Sequence, residues 1–145
     1  MARSVLHQFV VGALPGDAIT AQALLLRRWL REAGVRSELY AESVDDALAS
    51  EVHSYLRYRP TESGELVVLH HSIGSAAAEA LLDLDVRFLL IYHNITPPRF
   101  FTGVDPGVGA QLRKGERQLE SLRDRTVLGL ADSAGYRSTN KCYNN

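Results

Sequence analysis

The chain alternates short apolar runs with longer amphipathic stretches, the pattern of a parallel sheet with crossover helices. Residues 5–11, Val-Leu-His-Gln-Phe-Val-Val, form the first apolar run and predict a strand. A turn at 12–17, Gly-Ala-Leu-Pro-Gly-Asp, leads into a segment with Ile19, Ala23, Leu26, Leu30 and Ala33 at spacings of four and three. Those spacings set one face of a helix toward a core, and Gly34 supplies its stop. Residues 35–40 predict a second strand, and residues 45–52 a short helix capped by Ser43 or Asp45. Residues 55–65 are polar and contain proline, the character of a surface connection. The runs at 66–70 and 86–92 are continuously apolar, as strands covered on both faces should be. An alanine-rich helix at 75–82 separates them. After an irregular stretch at 93–106 comes a long helix with Val108, Leu112, Leu119 and Leu122 on one side. Gly115 falls in the same row, where a bare backbone permits close packing. A fifth strand is expected at 126–130. The expected fold class is α/β: a doubly wound, mainly parallel, Rossmann-like sheet forming one domain over residues 1–133, followed by an irregular tail at 134–145.

Length and composition agree with this picture. A chain of 145 residues suits one domain with a real core. Its 46% hydrophobic and 23% charged fractions are those of an ordinary globular chain. A formal net charge of -1 gives no basis for binding nucleic acid or an anionic surface. The densest basic cluster, Arg27, Arg28 and Arg31, falls within the first predicted helix and reads as a solvated face. Cys142 is the one cysteine, so neither a disulfide framework nor a thiolate metal site is expected. A reducing, cytoplasmic setting follows. The apolar N-terminal run is too short to span a bilayer and is interrupted by His7 and Gln8.

In an open parallel sheet, ligands bind beyond the carboxyl ends of the strands. The loops expected there are 12–17, 71–75, 93–98 and the pair Asp132 and Ser133. Gly16 and Asp17 precede a helix N-terminus, which either assists an anion or is a turn with Asp17 as its cap. His70 and His71 are adjacent in a strand, point to opposite faces, and cannot easily share a metal. With no carboxylate or cysteine cluster beside them, no zinc site is expected. His71 and Ser72 either face a substrate or serve the fold, and Ser75 caps its helix. His93 and Asn94 end the fourth predicted strand, where an imidazole can donate or accept hydrogen bonds at neutral pH. Phe100 and Phe101 either wall an acceptor pocket or pack beneath the loop. A dinucleotide site would need Gly-x-Gly-x-x-Gly after the first strand, and Gly12 and Gly16 have the wrong spacing, although Glu42 would suit the ribose. No nucleophile elbow, phosphate-binding Walker loop or glycosidase carboxylate pair is present.

Several runs resemble glycosyltransferase family four proteins of the GT-B fold. They are Val5-Leu6-His7-Gln8-Phe9, Pro15-Gly16-Asp17-Ala18-Ile19, Glu38-Leu39-Tyr40-Ala41-Glu42 and His70-His71-Ser72-Ile73-Gly74-Ser75. The most specific is Tyr92-His93-Asn94-Ile95-Thr96-Pro97-Pro98-Arg99-Phe100-Phe101, and Leu130-Ala131-Asp132-Ser133 looks like the end of the family's first domain. The resemblance implies two Rossmann-like domains facing across a cleft, the first holding much of the acceptor site and the second most of the nucleotide-sugar. It implies transfer with retention, no metal, and no cofactor beyond a nucleotide-diphosphate sugar as co-substrate. The leaving diphosphate is then held by basic residues and helix N-termini. By the same resemblance His93 contacts the transferred sugar and is the catalytic candidate. Gly16 approaches the donor phosphates or the acceptor, and His71 and Ser72 shape the acceptor pocket. Asp17, Asn94, Thr96 and Ser133 complete the substrate-binding set. The implied partners are a sugar or lipid acceptor, with peripheral membrane contact, and a separate donor-binding domain. The second domain's paired glutamates and basic residues do not appear, and residues 134–145 are polar where the family continues into a helix. The sequence therefore reads as a truncated or split enzyme, inactive alone, with a non-catalytic sugar- or nucleotide-binding module as the alternative.

Overall fold

The structure, a computed structural model, describes residues 3–93, 103 and 105–131. Valine, leucine and aromatic runs form strands β1 (His7–Ala13), β2 (Leu39–Val44), β3 (Val52–Ser54), β4 (Glu65–His71), β5 (Val86–Tyr92) and β6 (Thr126–Ala131). They pair in the order β3-β2-β1-β4-β5-β6, and every pair is parallel. Three α-helices make the crossovers: α1 (Ala18–Glu32), α2 (Ala76–Leu82) and α3 (Pro106–Arg123). Each starts at a capping oxygen, since the first N–H groups of a helix have no partner inside it. Asp17 caps α1, Ser75 caps α2, and Asp105 caps α3 just ahead of Pro106.

The pleat sorts residues to two faces. The register aligns Gln8 with Leu39 and Val10 with Ala41, and Val10, Leu39, Ala41 and Val52 pack with Ala23 of α1. On the other face Phe9, Val67, Leu69, Phe88 and Leu90 meet Ala78 and Leu81 of α2 and Leu122 of α3. Full burial of a side chain such as Phe9 or Phe88 stabilises the fold by about 1.5–3 kcal/mol. Helices therefore cover both faces, and the sheet is a doubly wound, Rossmann-like α/β sheet.

Three expectations are corrected, and the surface connection at 55–65 gains a buried anchor. Residues 45–52 do not form one helix: a 3-10 turn at Asp46–Leu48, with Asp45 as its cap, leads to β3, which makes a sixth strand. The second strand starts at Leu39. Residues 35–38 leave the helix instead, with only an isolated bridge between Val5 and Arg36. The 55–65 connection is anchored by buried Tyr58, whose hydroxyl donates to Glu65 Oε1 at 2.6 Å. The backbone and hydroxyl of Thr61 donate to the other oxygen of Glu65 at 3.0 and 2.6 Å. Finally, Arg27 is not a solvated residue. It is buried and its guanidinium donates to the Glu51 carbonyl at 2.5 Å, tying α1 to the start of β3. The buried stripe of α1 accordingly runs through Thr20, Ala23 and Arg27, with Ile19, Leu26 and Leu30 half-buried beside it and Ala33 exposed.

Candidate functional site

The chain leaves β1 through α1 toward β2 on one side, and leaves β4 through α2 toward β5 on the other. Strand order thus reverses between β1 and β4, and in open α/β sheets ligands bind at such a point, beyond the carboxyl ends of the strands. Gly16 follows β1, His71 ends β4 and His93 follows β5, so all three stand at this edge, on neighbouring strand tips.

Gly16 has φ of 79°, a conformation glycine adopts without strain, and no atom lies within 4 Å of where a Cβ would be. Its backbone is open to a ligand. Asp17 is the cap of α1: its carboxylate accepts from Thr20 N at 2.7 Å and lies 2.8 Å from the Thr20 hydroxyl, which itself accepts from Leu14 N. The N-terminus of α2 is occupied as well. Glu42 reaches from β2 to accept from Ala76 N at 2.9 Å, while the Ser75 hydroxyl accepts from Ala78 N. Asp105 accepts from Gly107 and Val108 N at α3. Every described α-helix therefore begins against a carboxylate.

His71 serves the fold through its ring. It is 1% exposed, and its Nε2 donates to the Gly115 carbonyl of α3 at 2.8 Å, while burial holds its pKa below the ordinary value. Its own carbonyl accepts from His93 N at 2.9 Å. Gly115 is buried in α3, in the close-packed row expected for it. Ser72 is half-buried in the loop between β4 and α2. That loop is pinned where Gly74 N donates to Gln111 O, and Gln118 brackets Ser75, accepting from its N–H and donating to its carbonyl. Asn94, Thr96, Phe100, Phe101, Asp132, Ser133 and the 134–145 tail lie outside the described residues.

On the opposite face of β4, His70 and His93 stack at 5.4 Å, with His70 Nδ1 3.1 Å from His93 Nε2. His70 Nε2 lies 2.9 Å from Gln8 Oε1, and Gln8 Nε2 donates to the Ala23 carbonyl of α1 at 2.9 Å. Burial, with a smaller contribution from His93, pushes the pKa of His70 down to about 3. The sequence reading missed this row. Its signal in the sequence is Gln8, a polar residue inside an apolar strand. Glu42 was weighed for a ribose, not as a helix partner.

Among the described residues, no three His, Cys, Asp or Glu side chains are grouped to hold a metal ion. No described helix is long and apolar enough to cross a membrane. No family model, curated protein or solved structure matches the chain.

Proposed function

We propose that this domain is the acceptor-side half of a GT-B sugar transferase. In that role it moves a sugar from a nucleotide-diphosphate sugar to a sugar or lipid acceptor, and a second domain holds the donor diphosphate. One observation carries the reading: Asp17, Glu42 and Asp105 already occupy the N-termini of α1, α2 and α3. A phosphate at a helix N-terminus uses its free N–H groups and positive dipole end. Here it would meet a carboxylate instead, a repulsion of about 1 kcal/mol at 4 Å even in water. A neutral polyol meets acceptors for its hydroxyl protons. This half thus suits the acceptor and leaves the diphosphate to the other domain. The same carboxylates, with the missing glycine fingerprint, disfavour a dinucleotide oxidoreductase.

On this reading His93 touches the transferred sugar, and the Gly16 backbone and Ser72 border the acceptor. Asp17 orients the first loop rather than binding phosphate, and His71 acts through the backbone it holds. Asn94, Thr96 and Ser133, outside the described residues, remain substrate-binding candidates by the family resemblance alone. The reaction proceeds in the cytoplasm, at the membrane surface where the acceptor is a lipid, without metal or further cofactor.

The test titrates the purified chain with saccharides and with UDP and GDP, followed by amide chemical shifts, alongside transfer assays with UDP- and GDP-sugars. Saccharides should perturb residues around Gly16, Ser72 and His93, nucleotides should bind more weakly, and the chain alone should transfer nothing. UDP binding at α1 more tightly than any saccharide would overturn the proposal. Saccharide binding that yields no transfer once a donor-binding half is supplied would leave a non-catalytic binding module.

A further inference from the structure

The amino-terminal edge of the sheet, at the other end of the strands from Gly16 and His71, holds a cavity of about 380 Å³. That volume falls in the range of roughly 300–1,000 Å³ over which small-molecule sites occur. Arg3, Arg31 and Arg36 line it together with Gly34, Ser37 and Glu38. The backbone that carries them is tied down. Arg36 N donates to Ser4 O and Leu6 N to Arg36 O, both at 2.9 Å, which joins the stretches ahead of β1 and β2. Val35 N donates to Leu30 O at 2.8 Å and fixes the second stretch to the end of α1.

The three arginines are not equivalent. Arg31 is committed to the fold: its Nε donates to Ser37 O at 2.9 Å and its Nη2 to Glu38 Oε2 at 3.0 Å. Arg3 and Arg36 are exposed, and neither guanidinium has a hydrogen bond or ion pair among the described residues. Ser37 is 1% exposed, and among the described residues its hydroxyl is the one buried side-chain polar atom without a hydrogen-bond partner. A buried donor of that kind costs stability unless something accepts its proton. Packing and pairing thus account for Arg31 and leave Arg3, Arg36 and Ser37 unexplained.

We propose that this cavity binds a phosphate monoester through Arg3 and Arg36, with the Ser37 hydroxyl as a further donor. A phosphate monoester carries a charge of about −1.5 to −2 at pH 7, which the two uncommitted guanidiniums match. Its oxygens accept from guanidinium and hydroxyl groups alike, and the guanidinium fork suits them geometrically. A carboxylate would leave one of the two charges unbalanced. The C-terminal end of α1, at Gly34, is the unfavourable end of a helix dipole for an anion. That effect fades within the last turn, where Arg31 already stands. Glu38 is engaged by Arg31 and lies 3.4 Å from His53 Nε2, so its charge is offset at the rim. None of this depends on the proposed sugar transfer, which belongs to the opposite edge.

The experiment titrates the full chain with glycerol 3-phosphate at constant ionic strength, followed by amide chemical shifts, with acetate as the carboxylate control. Saturable shifts should appear at Arg3 and at residues 34–38, and acetate should bind more weakly. In the double variant Arg3→Gln, Arg36→Gln the amide spectrum should stay folded, because both positions are exposed. Its affinity should fall about tenfold or more, as the loss of two charge pairs predicts even in water. Ser37→Ala should bind more weakly while being at least as stable, since an orphaned hydroxyl has gone. Sedimentation with phosphatidylcholine vesicles containing phosphatidic acid separates two sources of the same chemistry. Binding of glycerol 3-phosphate without cosedimentation identifies a soluble ligand, and cosedimentation lost in the double variant identifies a lipid headgroup. Shifts that never saturate, or equal affinity in the double variant, overturn the site. Acetate bound as tightly as glycerol 3-phosphate overturns the ligand class, and equal affinity in Ser37→Ala removes the hydroxyl from it.

Discussion

Three buried histidines govern how this domain responds to acid. Burial lowers the pKa of His7, His70 and His71 from the ordinary 6.5, in His70 to about 3. Each is therefore neutral in the fold at pH values where the unfolded chain has begun to protonate. As pH falls below 6.5 the unfolded state binds more protons than the folded one, and stability falls with it. The slope is up to about 1.4 kcal/mol per pH unit for each ring. Above 6.5 these rings contribute no slope; for His70 the loss continues down to about pH 3. Glu65 adds to the loss in stronger acid. Burial would raise its pKa, but bonds from Thr61 and Tyr58 outweigh that and bring it below 4.5, so its contribution fades as pH falls through the folded value. Urea unfolding at pH 8.0, 7.0, 6.0 and 5.0 should give a nearly flat upper limb and a steep lower one. Equal stability at pH 7.0 and 5.0 would contradict it. A second residue-scale prediction concerns Gly74, where an added Cβ would lie 2.5 Å from Lys114 Cβ and 2.8 Å from the Gln111 carbonyl. Backbone must shift to admit it, so Gly74→Ala should cost about 1–3 kcal/mol in the same assay. At this scale the sequence was informative about placement and poor about orientation. Strand periodicity put His70 and His71 on opposite faces, as found. Nothing in it could show that the ring of His71 turns under α3, because Gly115 lies forty-four positions away.

At the scale of elements, side chains that clamp backbone do much of the fixing of helices onto the sheet. Gln118 of α3 bonds both the N–H and the carbonyl of Ser75, at 3.0 and 2.8 Å, in a buried setting. Arg125, just past α3, donates to the carbonyls of Leu82 and Leu84 at the other end of α2, each at 2.6 Å. A short helix of seven residues is marginal by itself, so these bonds at both ends set its position. Gln118→Leu leaves the buried Ser75 N–H without its partner, at a cost of about 1–3 kcal/mol, while the Ser75 carbonyl keeps its bond from Glu79 N. Thermal unfolding should register it, with a change within about 0.5 kcal/mol for the exposed control Arg113→Gln. A Gln118→Leu chain as stable as wild type would show that α2 is held by packing alone. The same physics explains which elements were legible. The buried strands β4 and β5 and the helices α2 and α3 carry long apolar patterns and were expected where they stand. The three residues of β3 are too few for a period of two to declare itself, and Asp45-Asp46-Ala47-Leu48 imitates a capped helix, so that segment read as helix. Arg27 looked solvated because charge alone says nothing of a carbonyl across the groove, and it is Glu51 O that receives it.

Over the whole molecule, the carboxyl edge of the sheet is a place of acceptors. Asp17 and Glu42 stand at the helix N-termini on either side of the reversal between β1 and β4. On the proposed reading a diphosphate meets this arrangement badly and a hydroxylated ligand meets it well. That preference can be inverted by neutralising two charges while keeping the hydrogen bonds. Asn is as good a helix cap as Asp, and Gln retains an acceptor oxygen, so the double variant Asp17→Asn, Glu42→Gln should stay within about 1 kcal/mol of wild-type stability. Each lost like charge relieves about 1 kcal/mol at 4 Å in water, so the pair should tighten UDP binding by roughly tenfold or more. Saccharide binding should weaken or hold, because neutral amide oxygens accept less strongly than carboxylates. Calorimetric titration of both chains with UDP at low salt measures the difference, and 1 M salt should shrink it by screening exposed charges. UDP binding of equal strength to the two chains would mean that the carboxylates do not set the character of this edge. The acceptor-side reading would then lose the observation that carries it.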